Sequence, residues 1–248
     1  MMTTSPNELL RIEELHLEVG GRAILKGLSL TINQGEKMVL FGQNGAGKSS
    51  LIYAILGWPG YNVTAGKIFF QGRDITELPT NERVKIGLGV SFQNPPAIRG
   101  IKLAEMLKVC RPAIAPAEIE QSAAALNMGE FLARDINLGF SGGEVKRSEL
   151  LQILAQRPDF VMFDEPDSGV DLENVELVGQ QINSYLDQHA GIVITHQGYI
   201  LNFIKTSRAC ILYDGQIICS GNPLEILEDI RKNGYEACVK CRTRKHGE

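Results

Sequence analysis

The stretch VLFGQNGAGKSSLIYAIL, residues 39–56, passes from an apolar run through a glycine-rich turn into a second apolar run with helical spacing. Its pattern is glycine, four residues, then glycine-lysine-serine, carried by Gly42, Gly47, Lys48 and Ser49. A turn of that kind between a strand and a helix binds phosphate. Gly42, Gly45 and Gly47 let the backbone wrap close around oxygens, successive N–H groups point inward, and the helix N-terminus adds a favourable field. Gln43, Asn44, Ala46 and Ser50 complete the expected cradle. Lys48 then reaches the β and γ phosphates, and the Ser49 hydroxyl suits Mg²⁺, an ion that keeps an octahedron of oxygens and takes few protein groups. The expected ligands are ATP and Mg.

Outward from this loop, LHLEV (15–19), LSLTI (28–32), MVLFG (38–42), KIFFQG (67–72) and LGVSFQ (88–93) read as strands. The pattern then turns helical in KLAEMLKVCR (102–111) and PAEIEQSAAALNM (116–128), where Pro116 fits a first turn. A helix near 142–157, a strand DFVMFDE (159–165), a helix from Asp171 to about Gln188, a strand GIVITH (191–196) and two final strands around Cys210 and Ile217 follow. Strands alternating with helices predict an α/β fold with a mainly parallel sheet. The expected organisation is one domain over 8–241 with a helical insertion at about 94–157 and flexible ends at 1–7 and 242–248.

The run Phe160 to Phe163 delivers Asp164 and Glu165 to a strand end, and Pro166 stops the strand because it cannot donate to the ladder. Alone, such a pair reads as a solvated turn. At the edge where open α/β sheets bind nucleotides, Asp164 is positioned to hold Mg²⁺ and Glu165 to polarise an attacking water.

A net charge of −4 argues against a broad cationic surface for nucleic acid and leaves room only for a local basic patch. The opening MMTTSPNELLR holds no apolar core of signal-peptide length, and nowhere do ~18 uncharged apolar residues run together, so the expected location is cytoplasmic without membrane insertion. Five cysteines fall short of a disulfide framework, and Cys110, Cys210 and Cys219 are expected to be reduced thiols among apolar neighbours. Near the end, Cys238 and Cys241 with His246 have ligand-like spacing, but only three candidates are present and two ordinary reduced thiols are the preferred reading over a metal site.

The segment LGFSGGEVKR (138–147) sets Ser141, Gly142, Gly143 and Glu144 before a helix. A capping box accounts for the serine and glutamate but not for two glycines in a first turn, where each weakens the helix. Those glycines suggest close backbone approach to a ligand. Here the chain resembles the ABC ATPase family, whose signature is serine-glycine-glycine followed by glutamine or glutamate, and the resemblance covers nearly its whole length. It implies a P-loop NTPase fold with an antiparallel β-subdomain and a helical subdomain. It further implies a transient homodimer on ATP binding, in which Ser141, Gly142 and Gly143 of one subunit face the γ-phosphate held by the other. By the same resemblance Gln93 contacts Mg²⁺ and the water, His196 bonds near the γ-phosphate, and Ser168 to Asp171 cross to the opposing subunit. Asp171 serves equally as a helix N-cap. Where the family commonly stacks an aromatic ring on adenine, this chain has Val19, which predicts weaker or less base-selective binding.

Within the family, GFSGGEVKRSELLQI, FQNPPAIRGIKL, GWPGYNVTAGKIFFQGRDI and DEPDSGVD look like the ATPase subunit of Suf-type iron-sulfur cluster assembly, archaeal relatives included. That resemblance implies docking, through the helical insertion and the glutamine loop, onto scaffold subunits of a β-helical type. A nucleotide-binding subunit of a membrane ABC importer is the alternative.

Overall fold

The computed structural model describes residues 7–196 and 198–245, with side chains described as far as Tyr235. Strands β1 (Glu8–Val19) and β2 (Arg22–Asn33) form a hairpin closed by Gly20 and Gly21, whose positive φ values suit a two-residue turn. With β4 (Tyr61–Phe70) and the two-residue β5 (Arg73–Asp74) they make an antiparallel sheet in the order β2-β1-β4-β5. Both hairpin strands outrun the apolar segments read from sequence, because charged residues take the outward positions while Leu10, Ile12, Leu15 and Leu17 point in.

The second sheet has the order β10-β9-β3-β8-β7-β6, built from β3 (Lys37–Phe41), β6 (Leu88–Ser91), β7 (Phe160–Asp164), β8 (Ala190–Ile194), β9 (Arg208–Tyr213) and β10 (Gln216–Gly221). Every pairing is parallel except β9 with β10. Strands β3, β7 and β8 are buried throughout, as a sheet covered on both faces requires. Their side chains alternate between two cores. Met38, Leu40, Phe160, Met162 and Ile192 join the antiparallel sheet and helix α1 (Lys48–Leu56) on one face. Val39, Phe41, Val161, Phe163 and Val193 pack on the other against α3 (Leu103–Cys110), α4 (Pro116–Ala125), α5 (Gly142–Gln156) and α6 (Leu172–Leu186). Helices α3 to α5 all lie in the connection between β6 and β7, with Pro116 in the first turn of α4.

Two helices escaped the sequence reading. The short α2 (Thr80–Lys85) places Arg83 at only 2% exposure beneath the end of α1. Its guanidinium donates to the carbonyls of Ala54, Ile55, Thr76 and Leu78 at 2.6 to 2.9 Å, so it closes the last turn of α1. Helix α7 (Pro223–Lys245), bent at Gly234, takes in four residues that the sequence reading assigned to a tail. Cys110 and Cys210 are reduced thiols whose pKa values burial raises.

Candidate active site

Strand β3 ends at Phe41, and the glycine loop turns from it into α1. Gly42 has no room for a side chain, since a Cβ would lie 2.5 Å from the Leu212 carbonyl oxygen. Gly47 caps α1 at φ 105 with no side-chain cap, which leaves the first-turn N–H groups for an anion. Lys48 folds back so that Nζ donates to the carbonyls of Gly42 (2.8 Å) and Gln43 (3.0 Å). Burial lowers its pKa, and the carboxylates of Glu165 and Asp164 oppose that shift.

Asp164 ends β7 at 3% exposure and accepts a hydrogen bond from the Ser49 side chain; burial raises its pKa. Its Oδ1 is buried with no hydrogen-bond partner among the described residues. An orphaned carboxylate oxygen beside a serine hydroxyl is an oxygen set that fits Mg²⁺. Glu165 stands one residue further on in the left-handed region, at φ 52, a conformation that non-glycine residues adopt only when the surroundings hold them there. Gln93 Nε2 donates to Glu165 Oε2 at 2.6 Å, and His196 Nε2 lies 2.5 Å from Oε1. Two residues widely separated in sequence thus converge on one carboxylate.

A cavity of about 460 Å³ opens over this cluster, lined by Asn44, Gly45, Gly47, Lys48, Ser49, Ser50, Gln93, Glu165 and His196, together with Ile24. Gly42, Gln43, Ala46 and Asp164 are not part of that lining. Ser141, Gly142 and Gly143 lie outside it. Ser141 and Glu144 form the capping box, while the two glycines answer to the chain's own packing: a Cβ on Gly142 would meet the Gly169 carbonyl at 2.5 Å, and one on Gly143 the Asn174 side chain at 2.7 Å. Within one chain these glycines let α5 approach Gly169 in the loop before α6 and Asn174 in its first turn. Asp171 caps α6 by accepting from Asn174 N–H.

Several residues of the site lie outside the sequence motifs. Ile24, whose Cγ2 would lie 3.2 Å from a Cβ on Gly47, supplies the apolar wall, whereas Val19 packs half-buried against the antiparallel sheet's core. Buried Asp167 accepts from Thr195 Oγ1 at 2.8 Å and braces the turn that carries His196. Lys146 and Glu149 on α5 grip the backbone of Phe92 and Gln93; charged side chains three apart on a helix otherwise facing the core are the signal for them. Among the described residues no group of three or more His, Cys, Asp or Glu is disposed to hold a metal. The Cys238 and Cys241 side chains and His246 lie outside those described.

A phosphate loop and an acidic strand end at the same edge of a parallel sheet, with a helical insert between β6 and β7, make the molecule a P-loop nucleotide-binding cassette. A nucleotide-free ATP-binding cassette from an ABC transporter superposes with a TM-score of 0.77, covering 93% of this chain and 98% of that one at 23% identity, a likeness of fold. Residues 25–168 match the family model described as ABC transporter, and the chain belongs to that family as an ATP-binding, ATP-hydrolysing domain. A probable ABC transporter ATP-binding protein of Streptococcus pyogenes is 37% identical over 92% of this chain and 93% of its own. The iron-sulfur cluster assembly protein SufC of Plasmodium berghei is 36% identical over 97% of this chain and 72% of its own length. The probable ATP-dependent transporter SufC of Escherichia coli is 34% identical over 92% and 97%. No helix among the described residues is long and apolar enough to cross a membrane.

Proposed function

We propose that this chain is the ATP-hydrolysing subunit of a cytoplasmic iron-sulfur cluster assembly complex, closing as a transient homodimer on ATP to remodel scaffold subunits. The observation that carries this reading is its likeness to SufC proteins over more than nine-tenths of its length. Within the site, Lys48 and the N–H groups opening α1 bind the β and γ phosphates. Ser49, Asp164 and the side-chain amide oxygen of Gln93 would hold Mg²⁺, which would supply charge neutralisation at the phosphate oxygens. Glu165 polarises the attacking water as general base, with Gln93 and His196 fixing its two oxygens. Ser141, Gly142 and Gly143 serve the site of the opposing subunit.

The partner surface in this reading begins at Gln93 and runs to Leu103, beside an aromatic cluster of Tyr53, Tyr61, Phe92 and the half-exposed Trp58. Docking there biases the ATPase only through contacts that differ between open and closed dimers. Exposed Arg99 offers the charge to reverse: Arg99→Glu is expected to reduce partner capture while ATP binding is retained. The Streptococcus relative supports a second reading, the nucleotide-binding subunit of a membrane importer. Affinity capture from native extract separates the two, since soluble scaffold partners support the first and co-purifying membrane permeases overturn it.

A further inference from the structure

Helix α5 presents Ser141 at its N-terminus and, further along, turns two charged side chains inward. Lys146 and Glu149 are 6% and 5% exposed, a burial that charged residues reach only when their bonds are satisfied. Both are directed to one short stretch. Ser91 Oγ and Phe92 N–H donate to the two oxygens of Glu149 at 2.7 and 2.5 Å, and Lys146 Nζ donates to the carbonyls of Phe92 (3.2 Å) and Gln93 (2.9 Å). The next bond in the chain runs from Gln93 Nε2 to Glu165.

The sheet does not place this stretch by itself. The β6–β7 ladder ends at Ser91 opposite Phe163, so Phe92 and Gln93 leave the strand without ladder partners. What fixes their backbone is a pair of side chains from the helix that carries Ser141. We propose that Glu149 is a positioning residue for Gln93: its carboxylate holds Ser91 and Phe92 so that the Gln93 amide meets Glu165. This rests on the reading of Gln93 and Glu165 as parts of the hydrolytic site.

The test is a double-mutant cycle on the full chain, with kcat and KM for ATP measured for Glu149→Ala, Gln93→Ala and the pair. Losing charge-assisted bonds to the Phe92 and Ser91 donors predicts a fall in kcat of about tenfold to a hundredfold for Glu149→Ala, with KM within about twofold. Glu149→Gln, whose amide oxygen still accepts from Phe92 N–H, is expected to recover most of that rate. In the Gln93→Ala background the Glu149 effect is expected to vanish. Should Glu149→Ala fail to fold, Glu149→Gln carries the cycle, and its smaller loss has to vanish there as well. Additive losses, or kcat and KM changing together, overturn the proposal while leaving Gln93 in the site. A Gln93→Ala protein with undiminished turnover overturns the reading of Gln93 itself, and the proposal with it.

Discussion

Replacing Arg83 with methionine removes a charge that no carboxylate pairs by hydrogen bond and that four carbonyl oxygens satisfy instead. Burial lowers its pKa to about 10, so the group stays cationic at neutral pH against the carbonyl end of α1, where a positive charge is favoured. In the variant, Ala54 O keeps the Gly57 N–H at 3.1 Å, while the carbonyls of Ile55, Thr76 and Leu78 lose the donor shown for them. An acceptor stranded in this way costs roughly 1 to 3 kcal/mol. Methionine restores apolar volume and removes the cost of desolvating a guanidinium, which pulls the sum toward its lower end, about 2 to 4 kcal/mol. For a chain of this size that corresponds to a fall in Tm of about 4 to 16 °C. Equilibrium urea unfolding followed by the fluorescence of Trp58 reads the change, since this lone tryptophan sits directly after the capped end of α1. A loss below about 1 kcal/mol would refute the claim that Arg83 satisfies the turn.

Glu165→Gln is expected to lower ATP turnover by about 10² to 10⁴ while ATP binding persists, and near-normal hydrolysis removes the general-base role. Lys48→Ala is expected to weaken ATP binding itself, measured by titration calorimetry; unchanged affinity counts against the phosphate loop. Gly42→Ala sets a methyl 2.5 Å from the Leu212 carbonyl, so the loop has to move, and ATP affinity is expected to fall with it. Glu149, faced by Lys146 and Asp164, has its pKa raised from 4.5 to about 7, chiefly by burial. With the folded value above the unfolded one, the stability it contributes is full below about 4.5 and is lost as pH rises through 7. Denaturation of nucleotide-free protein at several pH values is therefore expected to show wild type losing ground to Glu149→Gln by as much as about 3 kcal/mol across that window, and a pH-independent difference would contradict it.

What the sequence discloses about the site follows the range of the interactions involved. The glycine loop is legible because its constraints are local: Gly47 needs a left-handed backbone at a helix start, and Lys48 follows it directly. Asp164 and Glu165 are legible because a fully apolar strand ends on them. The inner helix α2 is not, since six residues with one buried arginine carry no periodic signal. Nor is the true length of β1, where outward charges mask the alternation.

The glycines of the Ser141 segment show how a composition argument can imply a close approach without naming the neighbour. Their scarcity in helix interiors does imply close approach, yet the atoms that approach within the chain are those of Gly169 and Asn174, and sequence cannot say which surface closes on a bare backbone. The grip of Glu149 on Ser91, 58 residues away, is hidden for a related reason: its partners are a backbone N–H and a serine hydroxyl, groups found everywhere in a sequence. Only the end of the β6 ladder makes those donors special, because there the sheet stops and a helix side chain has to take over the placement of Gln93.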